Sequence, residues 1–301
     1  MRKTTRKLLY VFYKAGDNLV ENDGVELAGY LTFLAMLSLF PFLVLIVAFA
    51  GFIGQGQLGT QFLELMIAHL PTEAVEALRP RIDEIISGPP QTLLTVSILG
   101  AIWTSSSAVE GLRTVLNRAY QVRTPPAYIW RRLTSILQII LFAILIIIVM
   151  LVIVLAPIVI AKVQQFTGFP ISDEDTVIWN KYFVYFGGVL LFLGVANLYY
   201  FLPNIKQSLV SVVPGALLVV VLWIFGAGLF TWYISNVDQV NIIYGSLGGL
   251  IASLLFFFIM SIVFIYGAEF NHMLLSVFGG KMEEREHVEE DESEDISLTD
   301  D

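Results

Sequence analysis

Residues 135 to 160 read SILQIILFAILIIIVMLVIVLAPIVI, twenty-six consecutive positions without one ionisable side chain. Hydrocarbon about 30 Å thick is crossed by roughly 20 helical residues, so this stretch is long enough to span a bilayer. Its apolar residues run on without alternating, which fits a helix and excludes the alternating pattern of a barrel strand.

Five further stretches qualify on the same grounds: Ala28 to Ile53, Thr92 to about Leu112, Tyr182 to Leu202, Val212 to Ile234 and Ile243 to Phe270. The expected fold is all-α, a polytopic membrane protein with six transmembrane helices inside residues 28–272. The first span is too long for the apolar core of a signal peptide and lacks a convincing cleavage site, so it is expected to stay in the mature protein. Composition agrees: 56% of the chain is hydrophobic and 14% charged, against about 45 to 50% and about 25% in soluble domains. There is no cysteine, which removes disulfides, thiolate metal sites and a cysteine nucleophile.

The net charge of −9 sits in one place. Residues 281–301 hold eleven carboxylates against Lys281 and Arg285, and the first 280 residues balance at fifteen of each sign. Residues 273–301 are therefore expected to be an acidic, disordered cytoplasmic tail, with an acidic docking segment as the alternative. Residues 1–27 are expected to form a cytoplasmic N-terminal segment. With the N-terminus inside, thirteen of the seventeen lysines and arginines fall on cytoplasmic segments, so the positive-inside rule puts both termini in the cytoplasm. The first outside loop, 54–90, carries two apolar stripes, Leu63, Met66, Ile67 and Leu70, then Val75, Leu78, Ile82, Ile85 and Ile86. Two short amphipathic helices broken at Pro71 account for both, lying on the membrane surface or capping the bundle.

Several segments resemble the YihY/BrkB family of bacterial inner-membrane proteins: Tyr30 to Pro41 (YLTFLAMLSLFP), Trp103 to Tyr120 (WTSSSAVEGLRTVLNRAY), Tyr200 to Asn204 (YYFLPN), Tyr244 to Leu247 (YGSL) and Tyr266 to Asn271 (YGAEFN). The likeness covers essentially everything but the two tails, with Ile259 and Met260 standing where relatives often carry a tryptophan. It implies a six-helix protein of the bacterial plasma membrane. Members are linked to serum resistance and to export of lipid or lipopolysaccharide-type molecules, and a ribonuclease label has been attached to the family. A nuclease needs clustered carboxylate or histidine metal ligands in water, and the soluble part of this sequence offers neither.

Charges near a bilayer call for an explanation, because a carboxylate at its centre costs about 2.5 to 3.5 kcal/mol on insertion scales. Glu26, Glu110 and Glu269 fall near the cytoplasmic ends of their spans, with Arg113 three residues after Glu110 on one helix face. Read functionally, they ring a cytoplasm-facing vestibule that binds a substrate headgroup or carries a proton. Read plainly, they are solvated helix-end charges, or a simple Glu110–Arg113 pair. Asn197 is a hydrogen-bond candidate in the fourth span. Ser105 and Ser106 serve close helix packing or a polar path equally well, and so does the small-residue run at Gly245. Pro41 and Pro157 inside spans, and Pro203 closing the fourth, are candidate helix breaks of the kind that mark transporter sites.

Glu269 and His272 have the i, i+3 spacing of a di-iron helix, but no second copy accompanies them, so no metal or other cofactor is expected. The arginines from Arg113 to Arg132 lie beside a span, which points to topology and anionic lipid, not nucleic acid. The GQGQLG run at Gly54 follows a membrane helix and not a strand, so ATP hydrolysis is not expected. The expectation is a non-enzymatic transporter or exporter of an amphipathic envelope molecule (lipid or lipopolysaccharide-type) or small solute; a non-transporting scaffold for envelope proteins is the alternative. Expected partners are membrane lipids, with self-association and envelope proteins left open.

Overall fold

The structure, a computed structural model, describes residues 2–53, 91–122, 127–167, 173–236, 247–278 and 283–284. Seven α-helices account for nearly all of them: α1 Arg2–Glu21, α2 Gly24–Ile53, α3 Gln91–Ala119, α4 Tyr128–Thr167, α5 Asp173–Phe201, α6 Leu209–Asn236 and α7 Leu247–Phe278. The expected amphipathic pair at 54–90 and Gly245 lie outside the described residues.

Among the described residues, four helical stretches are long and apolar enough to cross a membrane: Gly24–Ile46, Tyr128–Val149, Leu209–Tyr233 and Gly248–Phe278. Tyr185–Phe201 is a shorter apolar helix. The protein is thus an all-α, multi-pass membrane protein. The sequence led to six spans, and the described residues account for four of them together with the shorter apolar helix; α3 also carries the polar residues Thr104 to Ser107, Glu110 and Arg113. Its surroundings explain why such a helix is tolerated. Ser105, Ser106, Val109, Arg113, Val115, Leu116 and Ala119 of α3 are all buried, packed among α2, α4 and α7. Polar groups facing protein do not meet lipid.

The helices alternate in direction, and one end of the bundle is tied together by specific contacts. Arg118 at the end of α3 donates to Asp23 between α1 and α2 at 2.8 Å. Asn117 accepts the backbone N–H of Asn204, after α5, at 3.0 Å. Asn271 near the end of α7 binds the start of α6, accepting from the Gly215 N–H at 2.7 Å and donating to the Val212 carbonyl at 3.1 Å. Two short strands, β1 Ile205–Lys206 and β2 Glu283–Glu284, pair antiparallel here, so chain beyond α7 returns to the α5–α6 connection.

Two non-glycine residues with left-handed backbone mark this end, Asp23 at φ 58° and Gln121 at φ 54°. Gln121 ends α3: its N–H reaches the Arg118 carbonyl and the Val122 N–H reaches that of Asn117, the paired bonds of a Schellman cap.

The N-terminal segment is a helix, which was not expected. Val11 and Ala15 of α1 are buried against Phe270 and Met273 of α7, and the Phe12 and Phe270 rings lie 4.6 Å apart. The signal was there in Leu8, Val11, Ala15 and Leu19, spaced three and four apart. At the other terminus α7 runs on to Phe278 and so takes in the first six residues, 273–278, of the expected tail.

Candidate functional site

The first polar locus joins α3 to the start of α4. Glu110 and Arg113, one turn apart on α3, face Arg131, Arg132 and Ser135 on the first turns of α4. The Ser135 hydroxyl donates to Glu110 Oε1, Arg131 Nε lies 3.3 Å from Glu110 Oε2, and Arg113 Nε lies 3.6 Å from Oε1. Arg113 is 4% exposed, and its Nη1 donates to the Leu202 carbonyl at 3.2 Å, satisfying an acceptor at the end of α5. Such a terminal carbonyl has no partner within its own helix. Arg132 lies over the Trp103 ring, 3.9 Å from guanidinium carbon to centroid, and donates to the Trp103 carbonyl at 2.6 Å.

The second locus surrounds Glu269, which is fully buried. Its Oε1 accepts from Asn22 Nδ2 at 2.7 Å, so the carboxylate holds the α1–α2 junction to α7. Its Oε2 lies 3.8 Å from His272 Nδ1, and the His272 ring is 6.2 Å from that of Tyr120. Burial raises the Tyr120 pKa, nearby Glu269 raises it further, and Asn271 opposes both.

The two loci are not at one depth. Tyr120 adjoins the Glu269 locus, and Glu110 is ten residues earlier in the chain, about 15 Å along the axis at 1.5 Å per residue. Glu26 joins neither; it is exposed at the start of α2. The ring of three acids expected from the sequence is therefore one exposed, one part-buried and one fully buried carboxylate, the last two on separate levels.

The remaining candidates separate cleanly. Asn197 is half-buried, with Oδ1 enclosed and unbonded among the described residues. Ser105 and Ser106 are fully buried; Ser106 donates to its own helix at the Trp103 carbonyl, 2.8 Å away. Helix α2 continues through Pro41 and α4 through Pro157, so neither is a break, whereas Pro203 does follow the end of α5.

Sequence reasoning missed a cavity of about 490 Å³ in the bundle, between α2, α3, α5, α6 and α7. Leu31, Ala108, Leu112, Leu198, Trp223 and Phe264 are among its walls, and its one hydroxyl-bearing lining residue is Ser261. Its volume lies within the about 300 to 1,000 Å³ usual for ligand pockets. It begins beside the first locus: Leu112 precedes Arg113, and Leu198 is one turn before the Leu202 carbonyl that Arg113 binds. Its walls come from five helices, and no motif of contiguous residues announces such a space.

The family described as Virulence factor BrkB matches residues 15–292. The chain belongs to that family. Among relatives, the ribonuclease-like protein YfkH of Bacillus subtilis (strain 168) is 28% identical over 254 residues, 84% of this chain and 90% of that protein. A UPF0761 membrane protein of Histophilus somni (strain 129Pt) is 24% identical over 266 residues, 85% of this chain and 87% of its own. Another, from Aggregatibacter aphrophilus (strain NJ8700), is 24% identical over 280 residues, 90% and 94% of the two chains. No solved structure matches the chain significantly.

In this BrkB-family chain, two of the segments that carry the resemblance tie the bundle together. Within Tyr266 to Asn271, the Tyr266 hydroxyl donates to the Phe12 carbonyl, Glu269 holds Asn22, Phe270 meets Phe12 and Asn271 binds α6. A side chain at Gly267 would strike Val219 and the Tyr199 hydroxyl. Within Trp103 to Tyr120, a side chain at Gly111 would strike Leu34 of α2, while Glu110, Arg113 and Asn117 fasten α4 and the end of α5.

Proposed function

We propose that this protein moves an amphipathic molecule of the envelope, a lipid or lipopolysaccharide-type compound, across the bacterial plasma membrane. The observation that carries the reading is the apolar cavity that begins beside the Arg113 locus. An amphipath placed there has its hydrocarbon among Leu112, Leu198 and Phe264 and its head toward the guanidiniums. Six crossings with both termini in the cytoplasm belong to the same reading. The alternating helix directions and the gathering of the α1–α2 junction, the α5–α6 connection and the chain after α7 at one end support it. A non-enzymatic role fits loci built from side chains that hold helices together; the ribonuclease-like name belongs to YfkH.

The test is transfer of a headgroup-labelled phospholipid in liposomes, with wild type and with the cavity filled by Ala108→Phe and by Ala227→Trp. Wild type is expected to move the lipid at least about tenfold faster than either filled variant, the effect of about 1.4 kcal/mol or more on the barrier. Equal rates in all three, or no transfer above protein-free liposomes, would contradict the reading.

A scaffold role is favoured by a different observation: Arg113 and Glu269 are both engaged in contacts that join helices. On that reading the filled variants retain the in vivo phenotype of the wild type.

A further inference from the structure

We infer that Arg131 and Arg132, with Trp103, form a binding site for the phosphate of an acidic phospholipid on the outer face of α3 and α4. Among the described residues the locus holds three guanidiniums against one carboxylate. Arg113 is turned inward to the Leu202 carbonyl, Ser135 and Glu110, which leaves the charge in excess on the α4 pair. Arg131 shares Glu110 with Arg113.

Arg132 is held by neutral groups: the Trp103 carbonyl at 2.6 Å, the Ser107 hydroxyl at 3.4 Å and the Trp103 ring. Among the described residues no carboxylate pairs with it. Its position is thus fixed while its charge is not neutralised, and a planar guanidinium so oriented suits a phosphate oxygen pair. An unneutralised cation beside hydrocarbon is costly unless an anion or water reaches it.

Directly along α4 from this pair runs an exposed apolar strip, Leu133, Leu137, Leu141, Ile144 and Ile148, spaced three and four apart. Trp103 of α3 is itself 56% exposed beside Arg132, so its indole adds an aromatic face to the outer side of the site. Phosphate at the arginines and an acyl chain along the strip is the geometry of one phospholipid. A soluble phosphate offers the same anion but gains nothing from the strip. The site lies on the bundle's outer face and does not depend on the transport reading.

Native mass spectrometry of the purified full chain would compare phosphatidylglycerol with phosphatidylcholine carrying the same acyl chains. Preference for the acidic lipid should be about fivefold for each contributing arginine. R131Q/R132Q should abolish it, and glycerol phosphate at matching concentration should not compete. L133E leaves both arginines in place and sets a negative charge on the exposed strip beside them; it should abolish the preference too, and it serves where the double variant does not fold. Equal binding of the two lipids by wild type, an unchanged preference in either variant, or full competition by glycerol phosphate would overturn the inference.

Discussion

Gly267→Val should lower the stability of the protein by at least about 3 kcal/mol, at the top of the range for overpacking a well-filled core. Helices α6 and α7 meet at Gly215 and Gly267 with almost no space between their backbones. A Cβ on Gly215 would meet the Gly267 carbonyl and, at 2.5 Å, the Asn271 amide nitrogen; one on Gly267 would meet Val219 and, at 2.6 Å, the Tyr199 hydroxyl. At Gly267 the atoms struck are side chains, but Tyr199 is fully buried and Val219 is buried too, with the Gly215 carbonyl at 3.1 Å behind them, so neither can turn aside and relief requires the helices to separate. Separation would break the two bonds from Asn271 to α6 and the bond from the Tyr199 hydroxyl to the Phe264 carbonyl. Small residues that let backbones approach are a main device of helix association in lipid. Gly228→Ala is the control, because nothing lies within 4 Å of a Cβ there. Thermal unfolding in detergent should show a large loss for Gly267→Val and none for Gly228→Ala; equal behaviour would mean the close approach is absent.

Arg113→Leu should be comparably damaging, by about 3 to 5 kcal/mol, the range for removing one partner of a buried ion pair. The arginine fixes three things at once: the Glu110 carboxylate, the Ser135 hydroxyl and the terminal carbonyl of Leu202. Leucine fills some of the space but strands the carbonyl and strips the carboxylate of one of its two guanidiniums. Adding Glu110→Gln to the same chain should recover part of the loss, since the stranded charge is gone, and a double-mutant cycle would measure the recovery. Arg113→Lys should rescue poorly, because a single ammonium cannot span α4 and α5 as the guanidinium fork does. Full stability for Arg113→Leu would show the contacts to be incidental.

These effects fall within the segments most legible from sequence, and their meaning differs from the expected one. Long charge-free runs such as 135–160 reveal membrane helices because the bilayer imposes one simple requirement on each residue. Helix α3 was harder to grade, since its polar residues are acceptable only in light of what α2, α4 and α7 place around them. The acids were found by type, but their levels were not: helix ends in a sequence are uncertain by a turn or more, and only Tyr120 beside His272 shows Glu110 to lie deeper. Pro41 and Pro157 show the same limit, for a proline in sequence does not reveal whether neighbours let the helix continue. The cavity was invisible because space is a property of five helices jointly.

The central claim is an even number of crossings that brings the contact-rich end of the bundle to the cytoplasm. The natural chain has no cysteine, so single cysteines at Glu21, Gln164, Ser208 and Asn236 report on their own positions alone. In intact cells a membrane-impermeant maleimide should label only those at Gln164 and Asn236, and lysis should expose Glu21→Cys and Ser208→Cys. Labelling of Glu21→Cys or Ser208→Cys before lysis, with Gln164→Cys protected, would contradict the account.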